Sequence, residues 1–351
     1  MFRTRAAALA ATLTVLLAGC GGQPSGPATA TAPTQSNRLT VLTHDSFYLP
    51  EELLAEFEQS SGYDVEYVAP GDGGTLVNQL ILTKDAPLGD VVFGIDTTFA
   101  GRAVGAGVLA PYTSAALPAE AADLAEDGGG LLTPIDYGDV CLNADLAWFK
   151  AKGLDLPGSF DDLTKPDYAD LLVVSNPASS TPGLAFLVAT VAAKGEDYLA
   201  YWQRLKDNGV KVVPGWTEAY TVEFSGSAGQ GSRPLVLSYA SSPASELDED
   251  GRPRTANLPQ TCLRQVEFAG VVAGAQNEVG ARAFIDWLLS PAVQEEIPTS
   301  MWMYPVDSEV ALPQAWAEFG SSVEEPWHVP AETIAENRDS WIRDWTATVI
   351  G

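Results

Sequence analysis

Six short segments carry the residues that could do chemistry. They are Thr43–Phe47 (THDSF), Pro70–Gly74 (PGDGG), Ser179–Gly183 (SSTPG), Gly215–Tyr220 (GWTEAY), Ser238–Pro243 (SYASSP) and Met301–Pro305 (MWMYP). Each mixes aromatic or small polar side chains with Gly, Pro or Ser, which suits binding better than bond-making. Trp216, Tyr239 and Trp302 stand in loops, off the apolar face of any helix. An aromatic face can stack on a flat ring or hold a cation, at roughly 0.5–2 kcal/mol per contact; packing in the core is the competing role. Ser180 or Thr181 can cap a helix that begins at Pro182, and the free N–H groups there favour an anion such as phosphate. An ordinary cap is the alternative. Asp72, between glycines, could accept from an amino group, balance a cation, or simply form a turn.

Catalytic constellations are missing from the sequence. It has no G-x-S-x-G elbow, no H-E-x-x-H, no P-loop and no G-x-G-x-x-G after a strand. The glycine-rich Ser225–Ser232 precedes a strand, Asp161 and Asp162 read as a surface turn, and the only histidines are His44 and His328. No enzyme activity, metal site or cofactor is expected.

The elements that must position these segments alternate. A short β run at LTVLT is followed by a helix that starts after Pro50 and stops at Gly62, then by the strand DVEYVA, the helical GTLVNQLILT and the buried strand DVVFGI. That β-α-β-α-β order implies a largely parallel sheet covered on both faces. A second such region starts at LLVVS. Leu184, Leu187, Val188 and Val191 follow at helical spacing, and VKVVPG and RPLVLSY are further strands. Amphipathic helices run through EVGARAFIDWLLS, then a short one after Pro291, and near the C-terminus from AETIAEN. Pro298–Ser308 reads as a loop. Ligands in open α/β sheets bind beyond the carboxyl ends of strands, so the six segments could meet at one cleft.

The 351 residues suffice for two domains or one large one, and the net charge of −27 excludes a nucleic-acid partner. Acidity alone also keeps an exported protein soluble. Met1–Gly19 reads as a signal peptide, with Arg3 and Arg5 ahead of a short apolar run. It ends in LAGC, which resembles a lipobox and implies lipid on Cys20. Gly21–Arg38 is small, polar and proline-rich, and reads as a disordered tether spanning roughly 25 Å. The two other cysteines, Cys141 and Cys262, could pair outside the cytoplasm or stay as buried thiols.

The lipobox, tether, alternating body and ARAFIDWLLSPAVQEEIP helix resemble the solute-binding component of an ABC importer. More narrowly, PIDYG, STPGL, GWTEAY, LVLSYASSPA and IPTSMWMYPV resemble the thiamine-binding proteins of thiamine importers, in order from about Leu39 to the C-terminus. The resemblance implies an α/β, type II periplasmic-binding-protein fold, two lobes each with a central mixed sheet flanked by helices. Its boundaries would be 1–19 signal peptide, 20–38 lipidated Cys and tether, 39–135 and 267–351 first lobe, and 136–266 second lobe. It implies ligand contacts at Asp72, Gly73, Ser180, Thr181, Trp216, Tyr239, Ala240, Ser241, Ser242, Pro243 and Trp302. Trp302 is expected to face the cleft and Tyr304 to support it. The ligand would be thiamine or its phosphates and the partner an ABC permease. The protein would be a monomer, lipid-anchored on the extracytoplasmic face. A polyamine or ferric iron in the same fold is the alternative, and an adhesive surface lipoprotein a more distant one. His44 and Ser245 replace aromatics of the family, and the YLPEE segment is shorter than in its relatives, so no contact role carries over to His44, Ser245 or Tyr48.

Overall fold

The computed structural model describes residues 37–227, 231–320 and 322–351, all within the compact unit 36–351. The expected signal peptide, Cys20 and all but the last two residues of the expected tether lie outside the described residues.

One half of the fold is built from β1 (Arg38–Leu42), α1 (Glu51–Ser61), β2 (Asp64–Val68), α2 (Gly73–Leu82), β3 (Val91–Asp96) and α3 (Thr97–Ala106). Strands β2, β1 and β3 lie parallel in that order. Helix α1 starts after Pro50 and ends at Gly62 in the left-handed region, at φ 77°, where glycine carries no Cβ penalty. β4 (Leu109–Ala110) and then β5 (Thr133–Asp145) follow. The other half holds α4 (Leu146–Lys152), β6 (Leu172–Ser175), α5 (Thr181–Lys194), α6 (Tyr198–Asp207), β7 (Lys211–Val213), α7 (Trp216–Glu218) and β8 (Leu235–Tyr239). Here β8, β6 and β7 are parallel. The chain returns through β9 (Thr255–Val272) to α8 (Glu278–Leu288), α9 (Pro291–Ser300), β10 (Tyr304–Pro305), α10 (Gln314–Phe319) and α11 (Ala331–Val349).

The strand order β2-β1-β3-β9-β5-β8-β6-β7 shows how the two lobes join. β5 and β9 are long antiparallel strands that serve both lobes. Val140 pairs with Leu263, but Leu142 pairs with Leu258. Between these pairs one residue of β5, Cys141, therefore faces four of β9, 259–262, a bulge that bends the ribbon between the lobes. Thr261 patches the break: its hydroxyl donates to the Leu258 carbonyl (2.7 Å) and accepts from the Leu142 N–H (3.0 Å). Cys141 and Cys262 form a disulfide at this same point, with neither residue exposed. The sheet is mixed, as the family resemblance implies; the strand–helix order alone suggested a largely parallel one, and β5 and β9, which run against their neighbours, make the difference. The expected loop from Pro298 also begins later. α9 continues through Pro298 to Ser300, although a proline there removes one helical hydrogen bond and crowds the carbonyl four residues back.

Candidate interlobe binding site

The parallel strands of both lobes point their carboxyl ends at one cavity of about 320 Å³. His44 follows β1, Asp72 follows β2, Thr181 follows β6, Trp216 follows β7, and Tyr239 ends β8. Strand ends supply the site because the loops there are free of sheet pairing while the sheet fixes their roots.

Asp72 ties the lobes together at this cavity. Its Oδ1 accepts from its own α2 at Gly73 N (2.6 Å) and from Thr181 N at the start of α5 (3.0 Å). Its Oδ2 accepts from Trp216 N at the start of α7 (2.9 Å). Three helix starts, from both lobes, thus donate to one carboxylate. Burial pushes this carboxyl above the usual aspartate range, and the hydrogen bonds pull it back. The anion at the α5 N-terminus is therefore the protein's own, which favours the ordinary cap over the phosphate site that the sequence also allowed. Ser180 is the cap of α5, fully buried, its Oγ accepting from Gly183 N at 3.3 Å.

The aromatic wall is built on α7. Trp216 stacks on Tyr220 with ring centroids 5.0 Å apart and planes 17° apart, and meets Tyr239 edge-on at 6.3 Å. Its Nε1 donates to Ser238 Oγ at 3.0 Å, so the ring is held at both its backbone and its indole nitrogen. The segment Ala219–Glu223 winds as a π-helix, an expansion that recurs at functional sites. Trp302 comes from the other side of the chain, just past α9. Its φ is 59°, an outlier for a bulky side chain and a mark of a position held by its surroundings. Ser241 Oγ donates to its carbonyl at 2.6 Å, and its ring lies nearly parallel to buried Trp316, at 9°. Trp302 remains 39% exposed although it lines the cavity, so ligand has a ring left to cover.

The floor is acidic. Glu267 of β9 lines the cavity, and its register partners are Asp96 on β3 and Asp136 on β5. All three are buried. Burial and mutual repulsion push the Glu267 carboxyl well up; burial does the same to Asp136 and takes Asp96 to about 7. His44 Nε2 lies 3.6 Å from Glu267 Oε1, while Ser46 Oγ meets Nδ1 at 2.9 Å. Burial lowers His44 to about 4, so the ring is neutral near pH 7 and supplies no countercharge. No lysine or arginine among the described residues lines the cavity. Aromatic faces over an uncompensated acidic floor suit a flat cation.

Residues 86–319 match the family model described as bacterial extracellular solute-binding protein. The chain belongs to that family. This solute-binding protein is 31% identical to the thiamine-binding periplasmic protein of Brucella melitensis over 330 residues, covering 91% of this chain and 94% of that one. It is 32% identical to the thiamine-binding periplasmic protein of Escherichia coli K12 over 321 residues, 89% and 93% of the two chains. The solved periplasmic thiamin binding protein superposes with a TM-score of 0.77 at 29% identity, over 89% of this chain and 96% of that one. The two-lobed fold is thereby that of type II periplasmic binding proteins, and the family captures solutes without catalysis. Among the described residues, no helix is long and apolar enough to cross a membrane. Nor does any group of three or more His, Cys, Asp or Glu among them stand ready to hold a metal.

Of the residues singled out in the sequence of this solute-binding protein, Asp72, Thr181, Trp216, Tyr239, Ser242 and Trp302 line the cavity. Gly73, Ser180, Ala240, Ser241 and Pro243 stand behind its wall. A Cβ on Gly73 would run into the Thr181 side chain, so this glycine permits the lobes to approach. Ala240 packs on the disulfide. Tyr304 is buried against Tyr137 and Trp316 and supports β10 rather than the cavity. His44 and Ser245, for which no role was carried over, do line the cavity, whereas the exposed Tyr48 does not. Glu267, Tyr220, Met301 and Met303 line it too and were not singled out as contacts. A glutamate inside the apolar run QVEFAGVV was the available signal, since a buried acid needs a reason.

Proposed function

We propose that this solute-binding protein captures thiamine, with its phosphates as weaker candidates, and delivers it to the membrane subunits of an ABC importer. The observation that carries the reading is one cavity with Trp216, Tyr239 and Trp302 on its walls and Glu267 in its floor. Thiamine has an aminopyrimidine, a thiazolium with a permanent positive charge, and a hydroxyethyl arm. Its rings suit the aromatic faces and its charge suits the floor. The relatives that bear a thiamine-binding name, similar over nine-tenths of the chain, support the same ligand. In this reading the lobes divide at 39–135 with 267–351 against 136–266, and they close as the Asp72 contacts form. Lipid on Cys20 and the tether that follows would keep the monomer near its permease.

Calorimetry and native mass spectrometry with thiamine, its mono- and diphosphate, spermidine and ferric citrate test the proposal. Stoichiometric thiamine binding is expected. Tight binding of spermidine or iron with no thiamine species bound would overturn it.

A further inference from the structure

The acidic floor holds more negative charge than the protein balances. Asp96, Glu267 and Asp136 are neighbours across β3, β9 and β5 in register, so their side chains share one face of the sheet. Asp96 has donors of its own: Thr98 Oγ1 at 2.8 Å and Phe99 N at 3.1 Å, as the cap of α3. It is the member of the row best able to stay ionised, and buried Arg338 of α11, paired with Asp339, feels its charge. Asp136 has neither oxygen paired with a donor. The group within its reach is the Glu267 carboxyl, and two carboxyls form a hydrogen bond only while one keeps a proton. The other groups facing the row add no positive charge. His44 approaches from the loop after β1 and is neutral, Asp72 adds a further negative charge from α2, and the buried Tyr239 of β8 stays protonated.

We propose that Glu267 is the countercharge that selects a cationic ligand, and that the empty Glu267–Asp136 pair keeps a proton which leaves for solvent when the cation arrives. In the empty cavity, ionising Glu267 beside Asp96 and Asp72 in a poorly solvated floor is costly, so the proton stays. A permanent cation above Glu267 removes that cost. The charge balance is one positive ligand in and one proton out. A neutral ligand of the same shape gains nothing from the exchange. The raised carboxyls of Glu267 and Asp136 agree with a proton held near neutral pH. This inference deepens the thiamine reading and rests on it.

The test is calorimetry of thiamine binding in buffers of different ionisation enthalpy, repeated from about pH 7 to 9, where the released proton should tighten binding by up to tenfold per pH unit. Wild-type protein should release about one proton per thiamine. A neutral analogue with thiophene in place of thiazolium should bind with no release and no pH slope. Glu267→Gln should lose the release and bind thiamine no better than the analogue. Thiamine binding without proton exchange, equal release with the neutral analogue, or release retained in Glu267→Gln would each overturn the inference. The wild-type comparison of the two ligands decides even if the variant does not fold. Binding without release rejects this inference alone; absence of any thiamine binding rejects the ligand reading and this inference with it.

Discussion

Replacing Asp72 should open the cleft without emptying it of chemistry. Two of the hydrogen bonds to this carboxylate, from Thr181 N at 3.0 Å and Trp216 N at 2.9 Å, cross from one lobe to the other. The third, from Gly73 N, stays within α2. A hydrogen bond to a charged group contributes about 1.5–3 kcal/mol net. Burial of the carboxylate, visible in its raised pKa, offsets part of that, so the lower figure applies to each. Asp72→Ala should therefore destabilise the closed form by about 3 kcal/mol relative to the open one, about a hundredfold in their ratio. The open form loses only the α2 cap, about 1 kcal/mol of global stability. Because encounter with ligand occurs before these bonds form, the association rate should change by no more than a few-fold. The loss belongs in the dissociation rate. Stopped-flow tryptophan fluorescence with thiamine reads both rates, and Trp216 and Trp302 line the cavity as reporters. Asp72→Asn keeps one acceptor oxygen and should fall between, roughly tenfold from wild type. If Asp72→Ala released thiamine at the wild-type rate while unfolding about 1 kcal/mol more easily, the carboxylate would be a cap only and the clasp would be wrong.

The other predictions concern the wall, the bridge, the floor and the anchor. Trp302→Ala should weaken thiamine by about tenfold to a hundredfold through lost stacking and cation contact, and Trp302→Phe by less; equal affinity in all three proteins would assign this ring to packing on Trp316. Removing the Cys141–Cys262 bridge, which closes a segment of 121 residues, should cost about 4–5 kcal/mol in chemical denaturation, as the loss of a long loop constraint does. No change in the midpoint would show that the bridge contributes nothing to stability. The floor should make the empty protein less stable as pH rises. Asp96 is raised to about 7 in the folded state, so its stabilising proton, held below the ordinary aspartate range, is lost as pH climbs towards that value. His44, lowered to about 4, acts in the opposite sense and is spent above its ordinary value near 6.5. Asp136, raised to about 8, extends the loss, so the melting temperature of the ligand-free protein should fall between about pH 6.5 and 8, and a rise there would contradict the buried carboxyl row. Cys20→Ala should yield protein without lipid, as mass spectrometry of the mature chain would show; lipid still attached would refute the anchor.

What the sequence made legible follows the range of each signal. The helix from Glu51 could be read from Pro50 and Gly62 because caps are local. Five of the six aromatic and small-polar loops could be read as site segments because they sit at the carboxyl ends of strands, which converge in this class of fold, while Met301–Pro305 follows α9. β5 and β9 were not read. They are stabilised by each other and by both lobes, and their bulge at Val140–Leu142 breaks the alternation that marks a strand. Losing those two strands meant losing the floor, since Asp136 and Glu267 acquire meaning only as register partners. Asp72 shows the same limit from the other side. Its residue type and glycine neighbours suggested a ligand contact or a turn, and it is a clasp because Thr181, 109 residues away, presents its N–H to it. The loops point to a flat ligand, while the pairings between distant strands point to a cationic one. A flat ligand and a cationic ligand are thus separate inferences here, the first carried by Trp216 and Trp302 and the second by Glu267. The neutral thiophene analogue keeps the shape and removes the charge, so it tests the second while leaving the first in place.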